Sequence, residues 1–295
     1  MYSSIHEIKP QEIEALVKLL DDPDLEVSKQ IEDQLLFWGD EVVEFLEAAW
    51  EKSFNASIQQ KLEEVIHKIQ FERVKMDLSI WILSGGTDLL EGALIINRYQ
   101  YPDLKKEKIL LELEELKREA WVHFGYEMSP LEKVNVLNHV FYQVKGFSGN
   151  TTNHQDPQNS YLNLVLETKK GNQLSLALVY SLVAQSIGIP IYGVNLPQHF
   201  ILAYLNKEVH KENQLPNSEE VLFYINAFNR GFVFNRMDVD FFLKQLHQPG
   251  KNEFYYPCPN KSIILRLVHN LISSYEKLGY SEKVVELKEL ASVLQ

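Results

Sequence analysis

DPQNSYLNLVLETKKGNQLSLALVYSLVAQSIGIPIYGVNLPQHFIL, residues Asp156 to Leu202, is the stretch on which the reading of the fold turns. Pro157 biases the residue before it away from helical angles, so Asp156-Pro157 reads as a turn. Asn159 and Ser160 are short polar side chains suited to capping a following turn. From Leu174 to Ile187 apolar residues are nearly continuous, a run too long for a strand, which predicts a helix buried on most sides. Gly188 supplies a helix C-cap, and Pro190 prevents the helix from resuming. Tyr192–Asn195 and Phe200–Leu205 carry the β-branched and aromatic content of strands, and His199 opens the second of them.

Outward from this core the pattern is mostly helical. Residues 11–70 predict four amphipathic helices in two antiparallel pairs. Ile13, Leu16, Val17, Leu19 and Leu20 form the first stripe, which Asp21-Asp22-Pro23 ends. Val27, Ile31, Leu35 and Leu36 form the second, Val42–Trp50 the third and Ile58–Ile69 the fourth. The helical pattern continues from Gln70 to Tyr101, broken at Ser84-Gly85-Gly86, which is taken as a domain boundary. A charged helix over Leu104–Phe124 has the Glu/Lys alternation of a solvated face. Ser129, Pro130 and Glu132 start a helix that runs to about Val144. Residues 146–158 form a polar loop in which the spacing of His154 and Asp156 lets both face one cavity; surface polarity explains them equally well.

Beyond the core, Asn206–Ser218 reads as a polar hairpin connection. Strands are expected at Val221–Ala227 and Phe232–Phe234, a short helix at Asp238–Gln245, and two helices split at Gly279 over Ser262–Gln295. The fold class is therefore α+β and predominantly helical, with a small antiparallel sheet. Three segments are expected: a helical domain over 1–83, a mixed domain over 84–248, and a connector with a helical pair over 249–295.

Composition excludes several classes of function. The 295 residues carry 41 acidic and 29 basic side chains, a formal net charge of −12. Such a surface repels a phosphate backbone, and the basic clusters Lys105-Lys106 and Lys169-Lys170 are short, so no nucleic-acid partner is expected. No apolar run reaches the length of a membrane span, and the N-terminal residues lack a secretory signal pattern. Cys258 is the single cysteine, which excludes an internal disulfide and fits a reducing, cytoplasmic setting. In that setting Asn55, Asn150 and Asn260, each in an N-x-S/T match, are not glycosylated. His123, His139, His154, His199, His210, His247 and His269 lack the close paired spacing of zinc sites, and neither metal nor cofactor is expected.

Three motifs in fixed order carry a family resemblance: GFSGN (Gly146–Asn150), the run from Asp156 to Tyr180, and GVNLPQHFIL (Gly193–Leu202). Together they resemble the transglutaminase-like superfamily of the SirB type, over roughly residue 84 to residue 295. The resemblance implies a papain-like core in which a cysteine opens the buried helix, a histidine starts a neighbouring strand, and an aspartate on the next strand orients it. On this chain the first position is Gln173, the second His199, and the third Asn226 in YINAF, so two of the three are changed. LLDDPDLEVSKQIEDQLLFWG (Leu19–Gly39) resembles a HEAT repeat, and ILRLVHNLISSYEKLGYSEKVVELKEL (Ile264–Leu290) a tetratricopeptide-like unit. The N-terminal helices read either as a cap on the next domain or as a peptide-binding groove.

Thiol catalysis needs a thiolate beside a histidine whose ring a third group holds. Cys258 lies in YYPCPN, away from the helix start. Gln173 has no attacking lone pair. Ser175 is turned by about 200° from Gln173 along a helix, so it presents to a different face. Two readings remain. In the first, the protein is a non-catalytic transglutaminase-fold module that binds a peptide or protein partner, with Asp156, Asn159, Gln173, His199 and Asn226 as candidate ligand-binding residues. In the second, it is a hydrolase or amide-transfer enzyme that pairs His199 with an unrecognised nucleophile. The first reading expects Gln173 and His199 within hydrogen-bonding reach, with Asn226 on the far side of the imidazole.

Overall fold

Apolar residues spaced by three and four give the N-terminal segment its helices: α1 (Pro10–Leu19), α2 (Leu25–Trp38), α3 (Val43–Lys52) and α4 (Ala56–Leu83). The computed structural model describes residues 10–125, 127–206 and 221–295. Asp24 starts α2 by accepting a hydrogen bond from the Glu26 amide at 2.9 Å. The inward stripes meet in a core of Ile13, Val17, Leu20, Leu35, Val42, Leu46, Leu62, Val65 and Ile69. The fourth expected helix and its continuation form one 28-residue helix, α4. The chain divides into two compact units, Met1–Asp77 and Leu78–Gln295. The division thus falls inside α4 rather than at Ser84–Gly86, where the helix stops on two glycines with positive φ.

The second unit continues with α5 (Leu89–Arg98), α6 (Lys106–Val122) and α7 (Pro130–Asn138). Ser129 and Glu132 cap α7 reciprocally, with Pro130 at the first helical position. A π-turn over His139–Val144 prolongs α7, so its length is as expected but its last turn is wider than α-helical. Two-residue strands β1 (Ser148–Gly149) and β2 (Lys170–Gly171) pair in parallel on either side of α8 (Leu162–Thr168). Tyr161, at the N-cap of α8, makes no side-chain capping bond. Asn97 of α5 satisfies the Leu162 amide from a distance, at 2.8 Å.

The apolar run becomes α9 (Gln173–Ser186), on which Leu174 through Ser181, Val183 and Ala184 are all buried. It packs on β3 (Ile191–Leu196), β4 (His199–Leu205) and α6. Beyond β4 come β5 (Val221–Asn226) and β6 (Phe232–Phe234), and the four strands form an antiparallel meander in the order β3-β4-β5-β6. Leu196 pairs with His199 across the first hairpin, leaving Pro197 and Gln198 as its loop. The connection expected over Asn206–Ser218 lies, from residue 207 onward, outside the described residues. After β6 come α10 (Arg236–Gln245), α11 (Asn260–Leu278) and α12 (Ser281–Val293), the last two separated by Gly279 in the left-handed region. Helix α11 packs against α5, α9 and β3, so the C-terminal pair shares the core of the sheet-bearing unit. The fold is mixed α+β and predominantly helical.

Candidate functional site

The site grows from the start of α9. Asn172 is the N-cap: its Oδ1 accepts from the Leu174 and Ser175 amides at 3.0 Å each. In return Ser175 Oγ accepts from the Asn172 amide at 2.9 Å. This reciprocal cap explains Ser175, which is buried and turned back onto the helix end rather than towards His199. Gly171 is required beside it, since a Cβ there would lie 2.5 Å from Ser175 Oγ. Asn172 Nδ2 donates to Ser160 Oγ at 2.9 Å, which joins the helix start to the end of the preceding loop.

With its backbone fixed in this way, Gln173 extends towards the β3–β4 hairpin. Its Oε1 lies 2.9 Å from His199 Nδ1. The carbonyl oxygen of Gln198 is 3.0 Å from the same nitrogen. A backbone carbonyl can only accept, so Nδ1 carries the proton and is shared between two acceptors. Gln198 turns this carbonyl inward by adopting φ +60°, a left-handed conformation that costs a non-glycine residue roughly 1–2 kcal/mol. The imidazole face stacks on Phe242 of α10, with ring centroids 4.8 Å apart and planes 8° from parallel. His199 is thus an oriented imidazole held by a carboxamide, a carbonyl and an aromatic face.

Asn226 is not part of that arrangement. Its Oδ1 accepts from the Asn229 amide at 3.0 Å and starts the turn from β5 into β6. The expectation that it would hold the far side of the imidazole is therefore corrected. Among the described residues no hydrogen bond is made to His199 Nε2. The turn is pinned from outside: Tyr142 donates to the Ala227 carbonyl at 2.7 Å, and Asn138 donates to the Gly231 carbonyl at 3.0 Å. Asn226 serves the turn's geometry, and an Asx residue that ends a strand is common for that reason.

The remaining candidates separate. Asn159 is 3% exposed and engaged at both ends: Oδ1 accepts from Asn150 Nδ2 at 2.9 Å, and Nδ2 donates to the Asn153 carbonyl at 2.7 Å. It braces the 150–160 loop from a buried position. Asp156 starts the short 3-10 turn Pro157–Ser160 by accepting from the Gln158 amide at 2.9 Å, so the capping expected of Asn159-Ser160 falls to Asp156. A cleft of about 430 Å³ opens beside the start of α9, with Gln173, Gln198, His154 and Phe228 in its walls. A second cavity of about 500 Å³, containing Asp156, Tyr161 and Tyr275, shares Gln155 and Lys277 with the first. His154 and Asp156 therefore face two adjoining cavities instead of one. Gln173 lines the cleft, while His199 stands one hydrogen bond further from it.

Cys258 lies outside this arrangement. Its amide donates to the Gly193 carbonyl at 2.9 Å, and burial pushes its thiol up to about 12, far from the thiolate a nucleophile needs. Among the described residues no group of histidine, cysteine and acidic side chains is placed to hold a metal ion, and no helix is long and apolar enough to cross a membrane. Sequence reasoning missed Asn172, whose signal was an Asn three residues before a Ser at a helix start. It also missed Arg266, Asn270, Ser273 and Lys277, which line the cleft from α11 and whose spacing carries no signal beyond that of a solvated helix face.

A transglutaminase-like superfamily model matches residues 107–269. The chain is 31% identical over 207 residues to a UPF0162 protein of Xylella fastidiosa, covering 63% of this chain and 64% of that one. It is 30% identical over 146 residues to a UPF0162 protein of Vibrio cholerae, covering 50% of each. F-box only protein 21 of Homo sapiens is 21% identical over 285 residues, 88% of this chain and 44% of that protein. The chain spans less than two thirds of the length of these relatives. No solved structure matches it.

Proposed function

Because the chain belongs to the transglutaminase-like superfamily, we propose that it is a non-catalytic member that binds a peptide segment of a protein partner in the cleft beside α9. One observation carries this reading: the side chain that reaches His199 from the start of the buried helix is the carboxamide of Gln173, at 2.9 Å. A carboxamide can hydrogen-bond an amide but cannot attack one. The walls suit that task, since Gln155, Gln173 and Gln198 offer donors and acceptors to an extended backbone. The adjoining cavity lengthens the groove beyond a single residue. Within the superfamily, the order of the three motifs supports the SirB type. The HEAT-like and tetratricopeptide-like flanks support a scaffold role in the cytoplasm.

The test is an amine-incorporation and ester-hydrolysis assay on wild type, Gln173→Cys and His199→Ala. Wild type should show no turnover above background, and Gln173→Cys only weak thiol reactivity. Robust wild-type turnover that disappears in His199→Ala would overturn the reading.

A further inference from the structure

One wall of the 430 Å³ cleft is a polar stripe on α11. Arg266, Asn270, Ser273 and Lys277 recur at the spacing of one helical face, while Ile263, Ile264, Leu267, Val268, Leu271, Ile272 and Tyr275 are buried in the core. The cleft's charge is unlike the chain's. A molecule of net charge −12 lines this cavity with two permanent cations, Arg266 and Lys277, and, among the described residues, with no carboxylate.

Arg266 is the unusual member. Its Nη1 donates to Asn195 Oδ1 and to the Leu196 carbonyl, the latter at 2.7 Å. The guanidinium carbon sits 5.8 Å from the centre of the Phe200 ring. Both acceptors are neutral, and among the described residues no carboxylate forms an ion pair with the guanidinium. Half-buried arginine charges are normally offset by a paired anion, because the lost hydration is otherwise uncompensated. Here Asn195 and Leu196 engage one nitrogen and fix the plane, and among the described residues Nε and Nη2 have no acceptor. A planar pair of N–H groups in that state matches a carboxylate's two oxygens.

We infer that the cleft recognises a carboxylate of the bound peptide, held by Arg266, with Lys277 about three helical turns further along the same wall. This rests on the peptide-binding reading above and names the chemistry it selects. The carboxylate can belong to an acidic side chain or to a peptide C-terminus, and Gln173 then bonds a neighbouring backbone amide. Specificity follows from the contrast: a neutral ligand leaves the cation unpaired, and a basic one is repelled.

The test uses NMR titration of the full ¹⁵N-labelled chain, following the Arg266 Nε–H signal. Four blocked probes are compared: acetyl-Gly-Gln-Glu-amide, its isostere acetyl-Gly-Gln-Gln-amide, acetyl-Gly-Gln-Gly with a free C-terminus, and the same peptide amidated. At least one carboxylate probe should bind about tenfold more tightly than its neutral twin, the discrimination expected of a charge-assisted pair. Arg266→Gln should abolish that difference. Arg266→Lys should keep part of it, and Lys277→Gln, a change at an exposed position, should reduce it without altering stability. Which acid wins distinguishes side chain from C-terminus. Equal binding of acidic and neutral probes, or an unchanged preference in folded Arg266→Gln, would overturn the inference and leave peptide binding standing. If Arg266→Gln does not fold, an unchanged preference in both Arg266→Lys and Lys277→Gln overturns it equally. Inorganic phosphate saturating the Arg266 signal at the same concentration as the best peptide would also overturn it. Failure of all four probes to bind would remove both readings together.

Discussion

Glutamine at position 173 sets what His199 can do. The imidazole's Nδ1 proton is shared between Gln173 Oε1 and the Gln198 carbonyl, so the nitrogen that faces the cleft side is a donor, not a base. A triad would need a third polar group on the other nitrogen, and the residue expected there is engaged elsewhere. Asn226 accepts from the Asn229 amide, a task that a carboxylate oxygen performs equally well. Asn226→Asp should therefore leave the urea midpoint nearly unchanged, whereas Asn226→Ala should cost about 1 kcal/mol, the usual net value of one lost hydrogen bond. In a Gln173→Cys background, Asn226→Asp should not raise the rate of alkylation by iodoacetamide. A large increase there would mean that residue 226 reaches His199 in solution.

At the level of elements, α9 was legible in the sequence almost to the residue, because a continuous apolar run bounded by Gly188 and Pro190 has few alternatives. The hairpin strands were legible for similar reasons. Periodicity does not report which side chain meets which, and that is where the reading fell short. Asn226 shares a strand end with a plausible role beside His199, yet the local turn claimed its carboxamide. Arg266 lies in a helix whose apolar face accounts for the periodicity, and the polar stripe beside that face has no separate signal. The start of α9 depends on contacts close in sequence but unread: Asn172 accepts from two amides and donates to Ser160. Asn172→Ala should destabilise the protein by about 1–2 kcal/mol, at the upper end for a lost N-cap. Asn172→Asp should fall between, since it restores the cap and loses the donation. A midpoint for Asn172→Ala equal to wild type would show that the cap contributes little to holding Gln173 in place.

For the whole molecule, the second unit's core places several acidic hydrogens where their anions are poorly solvated. Burial pushes the Cys258 thiol and the Tyr224 phenol up to about 12 each. It raises Tyr142 and Tyr180 as well. Each of these groups holds its proton in the folded chain at a pH where the unfolded chain releases it. Their stabilising contribution is therefore complete below the unfolded values, about 8.5 for a thiol and about 10 for a phenol. It is lost progressively as pH rises from there towards the folded values, about 12 for Cys258 and Tyr224, because the unfolded state binds fewer protons over that interval. The melting temperature should hold steady between pH 7 and 8 and fall from about pH 9 upward. Thiol and phenol are separable, because the thiol titrates first in the unfolded chain. Cys258→Ser removes the earlier part of the decline and leaves the part above pH 10 intact. The measurement is a series of thermal melts from pH 7 to 11 on wild type and Cys258→Ser, with tyrosine ionisation followed by absorbance. Coincident curves for the two proteins, or a normal alkylation rate at Cys258 in the native state at pH 8, would show the thiol to be accessible and ionisable, and would reopen it as a reactive group.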